Sequence, residues 1–192
     1  MFIDFVTLLL TNMGAGFLIL AAYVVRGMDQ EDQRSWSLGF LPVGVVGVLF
    51  GGYMVTTWPL PGPFNSAFGE CSVLLGILFL MAGIGLALGW RLNVIAAYGI
   101  PAGLAAIVFG VRILVLKLTQ APIPSGTGFI LSGVAGLFAL PTVTAWRALL
   151  PWRYLAAAVL VGIAMLWLFT AYAGIWGHME AFGKWVPYPM RH

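Results

Sequence analysis

At 192 residues, 61% hydrophobic and 8% charged, the chain is far from a soluble domain, which is roughly half apolar and about a quarter charged. A mean hydropathy of +1.01 turns the question into how many spans it makes; a bilayer core takes about 20 apolar residues per helix, so the length allows about six. Nine cations against six acids leave a net charge of +3 scattered along the chain, which excludes a nucleic-acid patch, and the one cysteine, Cys71, excludes an internal disulfide framework or a cysteine-held metal cluster.

Stretches free of Asp, Glu, Lys and Arg run Phe5 to Val25, Ser35 to Gly69, Cys71 to Trp90, Leu92 to Val111, Leu118 to Trp146 and Tyr154 to Gly177. No period-two alternation of a membrane barrel is present. The pattern predicts an all-α polytopic membrane protein, one six-helix transmembrane domain over 1–192, with spans near 4–25, 37–57, 67–90, 93–116, 127–146 and 153–177 and a tail over 178–192.

Span 1 opens at Asp4 without a basic leader or small-residue cleavage site, so it is expected to stay in the mature chain. The Asp29, Glu31, Asp32 turn that follows reads as solvated rather than metal-binding. Span 2 carries Pro42 and stops before the loop Trp58-Pro-Leu-Pro-Gly-Pro63, after which Glu70 opens span 3. Span 4 contains Pro101, with Arg112 about one turn inside its end beside Lys117. A second loop, Ala121-Pro-Ile-Pro-Ser-Gly126, leads to span 5 and Pro141, and His178 and Glu180 close span 6. Internal prolines each remove a backbone donor and are expected to kink their helices.

Arg26, Arg34, Arg91, Arg147 and Arg153 fall on one side and Lys117, Lys184 and Arg191 on the other. The positive-inside rule then predicts a multi-pass cell-membrane protein with both termini extracytoplasmic. Trp36, Trp58, Trp90, Trp146, Trp152, Trp176 and Trp185 mark span ends, where an amphipathic ring is comfortable. Small residues four apart, Gly47 with Gly51, Gly85 with Gly89, Gly99 with Gly103 and Ser132 with Gly136, predict close helix packing within the chain first, and a homo-oligomer or complex partner second. The echo of Gly44-Val45 and Gly47 in Gly133-Val134 and Gly136 raises a three-plus-three inverted repeat, the plan of many secondary transporters.

Asp4, Glu70, Arg112, His178 and Glu180 all fall at the predicted outer side, whereas the inner side shows nothing comparable inside its helices. Charges at membrane depth are costly unless paired or wet, which makes Glu70, Arg112, His178, Asn65 and Asp4 the candidate ligand or ion pathway, with Glu70 and Arg112 as a buried pair. Each also has a plainer explanation: Asp4 and Glu70 suit a helix N-terminus, Glu180 precedes Lys184 by one turn, and Arg112 can snorkel. Zinc-protease, hydrolase, P-loop and dinucleotide motifs are absent, so no catalytic residue and no cofactor is predicted. With His192 terminal, a bis-histidine haem is excluded, and a single haem or metal ligand at His178, with Glu180 as companion, stays open.

Five strings carry a family resemblance: Phe2-Ile-Asp-Phe-Val-Thr-Leu-Leu-Leu-Thr-Asn12, Asp29-Gln-Glu-Asp-Gln-Arg-Ser-Trp36, Trp58-Pro-Leu-Pro-Gly-Pro-Phe-Asn-Ser-Ala-Phe-Gly-Glu70, Gly110-Val-Arg112 and Gly177-His-Met-Glu-Ala-Phe-Gly-Lys-Trp-Val-Pro187. End to end, the chain resembles the small archaeal and bacterial membrane proteins termed domain of unknown function 981. That resemblance implies a compact multi-span protein and brings no activity, substrate or cofactor. Three functions follow as expectations: binding or conduction of a small solute or proton through the outer polar pocket, an accessory or scaffolding subunit of a larger membrane complex, or a membrane oxidoreductase component using His178. Beyond the lipid bilayer no partner is specified, and nucleic acid is not one.

Overall fold

The structure, a computed structural model, describes residues 4–180. Six helices are long and apolar enough to cross a membrane: α1 (Phe5–Ala22, prolonged by a π-helical turn Tyr23–Gly27), α2 (Ser37–Thr57), α3 (Cys71–Ala87, preceded by a π-helical turn Asn65–Glu70), α4 (Asn93–Leu116), α5 (Pro122–Val143) and α6 (Leu150–Glu180). The protein is all-α and polytopic, with α1 the most enclosed span. Lys184, Trp185, Arg191 and His192 lie outside the described residues, so the expected tail is described only as far as Glu180.

Helix ends shift by a few residues from the sequence expectation, most at the start of α5, where a proline-rich run reads as a loop. Helix α5 begins at Pro122, not near 127, and α6 at Leu150, immediately before Pro151. Proline is well suited to a first helical turn, whose N–H groups have no intrahelical acceptor and whose φ the ring already sets. Helices α2 and α4 close on Trp58 and Lys117, both in the left-handed conformation at φ of 50° and 51°. Their N–H groups return to the carbonyls of Met54 and Ile113, as a left-handed cap requires.

Lipid gives helices no hydrophobic reason to associate, so close approach of small residues must supply the contact. Three pairs dominate: α2 with α3, α4 with α5, and α1 with α6. Between α4 and α5 a Cβ added to Gly103 would lie 2.4 Å from the Gly133 carbonyl oxygen, and one on Gly133 the same distance from that of Gly103. Between α2 and α3, a Cβ on Gly44 would meet the Leu80 backbone nitrogen at 2.3 Å, and one on Gly76 the Val48 nitrogen at 2.6 Å. At the α1–α6 contact a Cβ on Gly14 would lie 2.5 Å from Leu168 Cγ, and on α6 Ala157, Ala164 and Ala171 recur at heptad spacing beside Ile163 and Trp167, all five of them buried. Gly89 proves to be a turn residue at φ 71°, outside any packing face.

These pairs are not the ones a three-plus-three inverted repeat demands. Such a repeat would seat α1 on α2 as closely as α4 on α5. Instead the α2 glycines turn forward onto α3, whereas the α5 glycines turn back onto α4. The echo between the two segments therefore reflects a shared need for close backbone approach, met against non-equivalent partners.

Candidate functional site

All five expected site residues stand at the end of the bundle where α1 starts, but only two of them meet. Asp4 caps α1, with Oδ1 accepting from the Thr7 N–H at 3.4 Å, and its other carboxylate oxygen contacts His178 Nδ1. The close antiparallel packing of α6 on α1 brings these two chain-distant residues together. Asn65 is fully enclosed and holds the proline-rich loop shut, accepting from the Leu60 N–H at 3.1 Å and donating to the Leu60 carbonyl. Glu70 is half-buried, Arg112 and Glu180 are exposed, and among the described residues the ion pairs are Arg153 with Asp29 and His178 with Asp4. The expected Glu70–Arg112 pair is not formed. The short 90–92 link suggested that α3 and α4 lie side by side, but their glycine faces turn away from each other, onto α2 and α5. Arg112 is left on the outer face of α4 with Val108, Val111 and Val115. Small residues at the helix contact outweigh sequence adjacency, because they permit backbone-to-backbone packing.

The opposite end, for which the sequence promised only solvated turns, holds the most buried charge. Arg153 is 2% exposed. Its Nε donates to the Val24 carbonyl at 2.7 Å, Nη2 to the Val25 carbonyl at 2.9 Å and Nη1 to Asp29 Oδ2 at 2.5 Å. Arg147 donates to the Met28 carbonyl. These carbonyls belong to the π-helical end of α1, where the last turn has no intrahelical donors left and carries the negative end of the helix dipole. Asp29 thus belongs to a structural pair, while Glu31 and Asp32 are exposed as expected. One signal was present in the sequence: a cation in the first turn of a helix opposes that helix's own dipole and calls for an outside partner. The turn is further ordered by Tyr23 donating to Gln33 Oε1 at 2.7 Å and by Trp36 Nε1 donating to Gln30 Oε1 at 2.8 Å.

Two cavities lie toward this end and have lining residues in common. A narrow apolar cleft of about 150 Å³ lies between α1, α3, α4 and α5, with Met13, Phe17, Leu75, Phe79, Ala102 and Ala106 in its walls. A wider polar vestibule of about 730 Å³ is bounded by the 28–34 and 89–93 turns and Arg147, and it carries Glu31, Asp32, Arg34 and Arg91. Tyr23, Leu92 and Val143 line both. Toward the other end of the bundle the cleft reaches Cys71 and Phe129. Phe129 is backed there by the rings of Phe68 and Trp167, at centroid distances of 5.2 and 5.3 Å. Trp167 is itself anchored, its Nε1 donating to Ser132 Oγ at 3.0 Å. Glu70 and Arg112 line neither cavity. Among the described residues no three His, Cys, Asp or Glu side chains gather in a metal-binding group.

No curated protein and no solved structure matches the chain. A family profile described as a protein of unknown function, DUF981, matches residues 1–181, a span that includes every helix and both ends of the bundle. The chain is therefore a member of the DUF981 family of proteins of unknown function.

Proposed function

We propose that this protein is a membrane-embedded binding protein that holds a small apolar molecule in the cleft between α1, α3, α4 and α5. The observation that carries it is an apolar cleft sharing Tyr23, Leu92 and Val143 with a polar vestibule, the combination of apolar walls and a few polar groups typical of ligand sites. Conduction of a proton or polar solute gains no such support: the cleft walls carry no charged side chain, and buried aromatic rings stand at the far end. The arginine-rich end is assigned to the cytoplasm on the positive-inside rule, so the vestibule opens to the cytoplasmic leaflet of the cell membrane and both termini lie outside. In this reading Asp4 with His178 serves to join α1 to α6.

The experiment is native mass spectrometry of protein exchanged into a detachable detergent. The wild type is expected to retain an apolar adduct that the Ala102→Leu and Ala106→Leu variants, whose added bulk enters the cleft, lose while keeping their helical circular dichroism. A wild type that carries nothing, and takes up no apolar compound from a mixture, overturns the proposal.

A further inference from the structure

We infer that the ligand of the cleft is a single-chain amphiphile with an anionic head, its hydrocarbon tail in the cleft and its carboxylate or phosphate in the vestibule. This rests on the binding function proposed above and names the ligand class. The first argument is shape. The cleft is lined from Leu92 to Ala106 along α4 and from Val143 to Phe129 along α5, about 20 Å of helix at about 1.5 Å per residue. That elongated wall, apolar but for the hydroxyls of Tyr23 and Ser132, suits an extended hydrocarbon chain rather than a compact polar solute.

The second argument is charge. The vestibule carries Arg34, Arg91 and Arg147 against Glu31 and Asp32. Asp32 accepts from the backbone N–H of Arg34 at 3.0 Å and Arg147 donates to the Met28 carbonyl, while the guanidinium groups of Arg34 and Arg91 have no carboxylate partner among the described residues. Arginine matches carboxylate and phosphate through its planar fork. Because Tyr23, Leu92 and Val143 belong to both cavities, a head beside Arg34 and Arg91 would have its tail already at the entrance of the cleft.

Cys71 offers the readout. It is the sole cysteine and lies at the far end of the cleft, so a tail that fills the cleft should slow its reaction with a small membrane-permeant thiol reagent. Full-length protein in detergent would be titrated with oleate, 1-oleoyl lysophosphatidate, the neutral analogue monoolein, and inorganic phosphate alone. Oleate and the lysophosphatidate are expected to protect Cys71 at concentrations about tenfold below monoolein, the order of one charge-assisted contact. The Arg34→Gln, Arg91→Gln double variant should erase that difference, and Ala102→Leu should remove protection by all three. Equal potency of the charged and neutral amphiphiles on the wild type overturns the anionic head and leaves the cleft function standing. Absence of protection by any amphiphile overturns both. Phosphate that binds with the same affinity as the lysophosphatidate, measured calorimetrically, would mark a vestibule site for free anions and overturn the joined site.

Discussion

At the scale of single residues, burial decides which charges matter. Arg153 satisfies two carbonyls at the end of α1 that otherwise have no donor, and Asp29, 63% exposed on its side chain, completes the fork. Removing the guanidinium strands those carbonyls inside the protein, so Arg153→Ala should destabilise by about 3 kcal/mol. Lysine, a point charge without the fork, should recover only part of this. The exposed partner is screened by water, and Asp29→Asn should cost less than about 1 kcal/mol. Denaturation in mixed micelles would read both, and equal losses at the two positions would contradict the assignment. Glu70 and Arg112 give the opposite expectation. With no ion pair between them, their neutral variants should be additive to within about 0.5 kcal/mol. A double-mutant cycle with a larger coupling would show a pair after all.

The helix pairs set a second test at the scale of elements. At Gly133 the nearest atom to an added Cβ is a backbone oxygen at 2.4 Å, which cannot move aside without parting α4 from α5. Gly162 on α6 has nothing within 4 Å. Alanine at the first should cost several kcal/mol and lower the thermal midpoint sharply, since overpacking in a close contact typically costs about 1–3 kcal/mol even where side chains can yield. At the second it should stabilise by up to about 1 kcal/mol through helix propensity. Fluorescence-detected thermal unfolding of Gly133→Ala and Gly162→Ala would separate the two, and similar midpoints would contradict the α4–α5 geometry. The same contrast explains why glycine spacing alone misled about Gly85 and Gly89: the motif marks four-residue spacing, but Gly89 sits in a turn at φ 71°, where only the backbone conformation calls for it.

For the whole molecule the proposed orientation, with the arginine-rich end in the cytoplasm, has a direct test. Arg34 and Arg91 belong to the vestibule end and Lys117 to the other. In a Cys71→Ser background, Lys117→Cys should label with an impermeant maleimide in intact cells, and Arg91→Cys only after permeabilisation. The reverse pattern would place the vestibule outside and the termini in the cytoplasm. The positive-inside assignment rests on Arg147 and Arg153 among others, and these two also cap α1, so retention of cations at this end has a structural as well as a topological cause.

Six spans and their polar punctuation were legible in the chain itself, because each apolar run must satisfy its backbone internally within the bilayer and only a helix does so in a single segment. Glycine-mediated packing was legible too, in Gly47 with Gly51 and Gly99 with Gly103, since small residues are the only route to backbone contact. What the one-dimensional pattern could not show was which helix each glycine face meets. That choice separated Glu70 from Arg112, brought Asp4 to His178 across the whole chain, and set Arg153 beneath the end of α1. It also opened the cleft, whose walls come from residues as distant as Met13 and Val143. Hydropathy dictates that each segment crosses the membrane, but the partners are selected by shape complementarity among three-dimensional surfaces, and the site lies where those partners leave space.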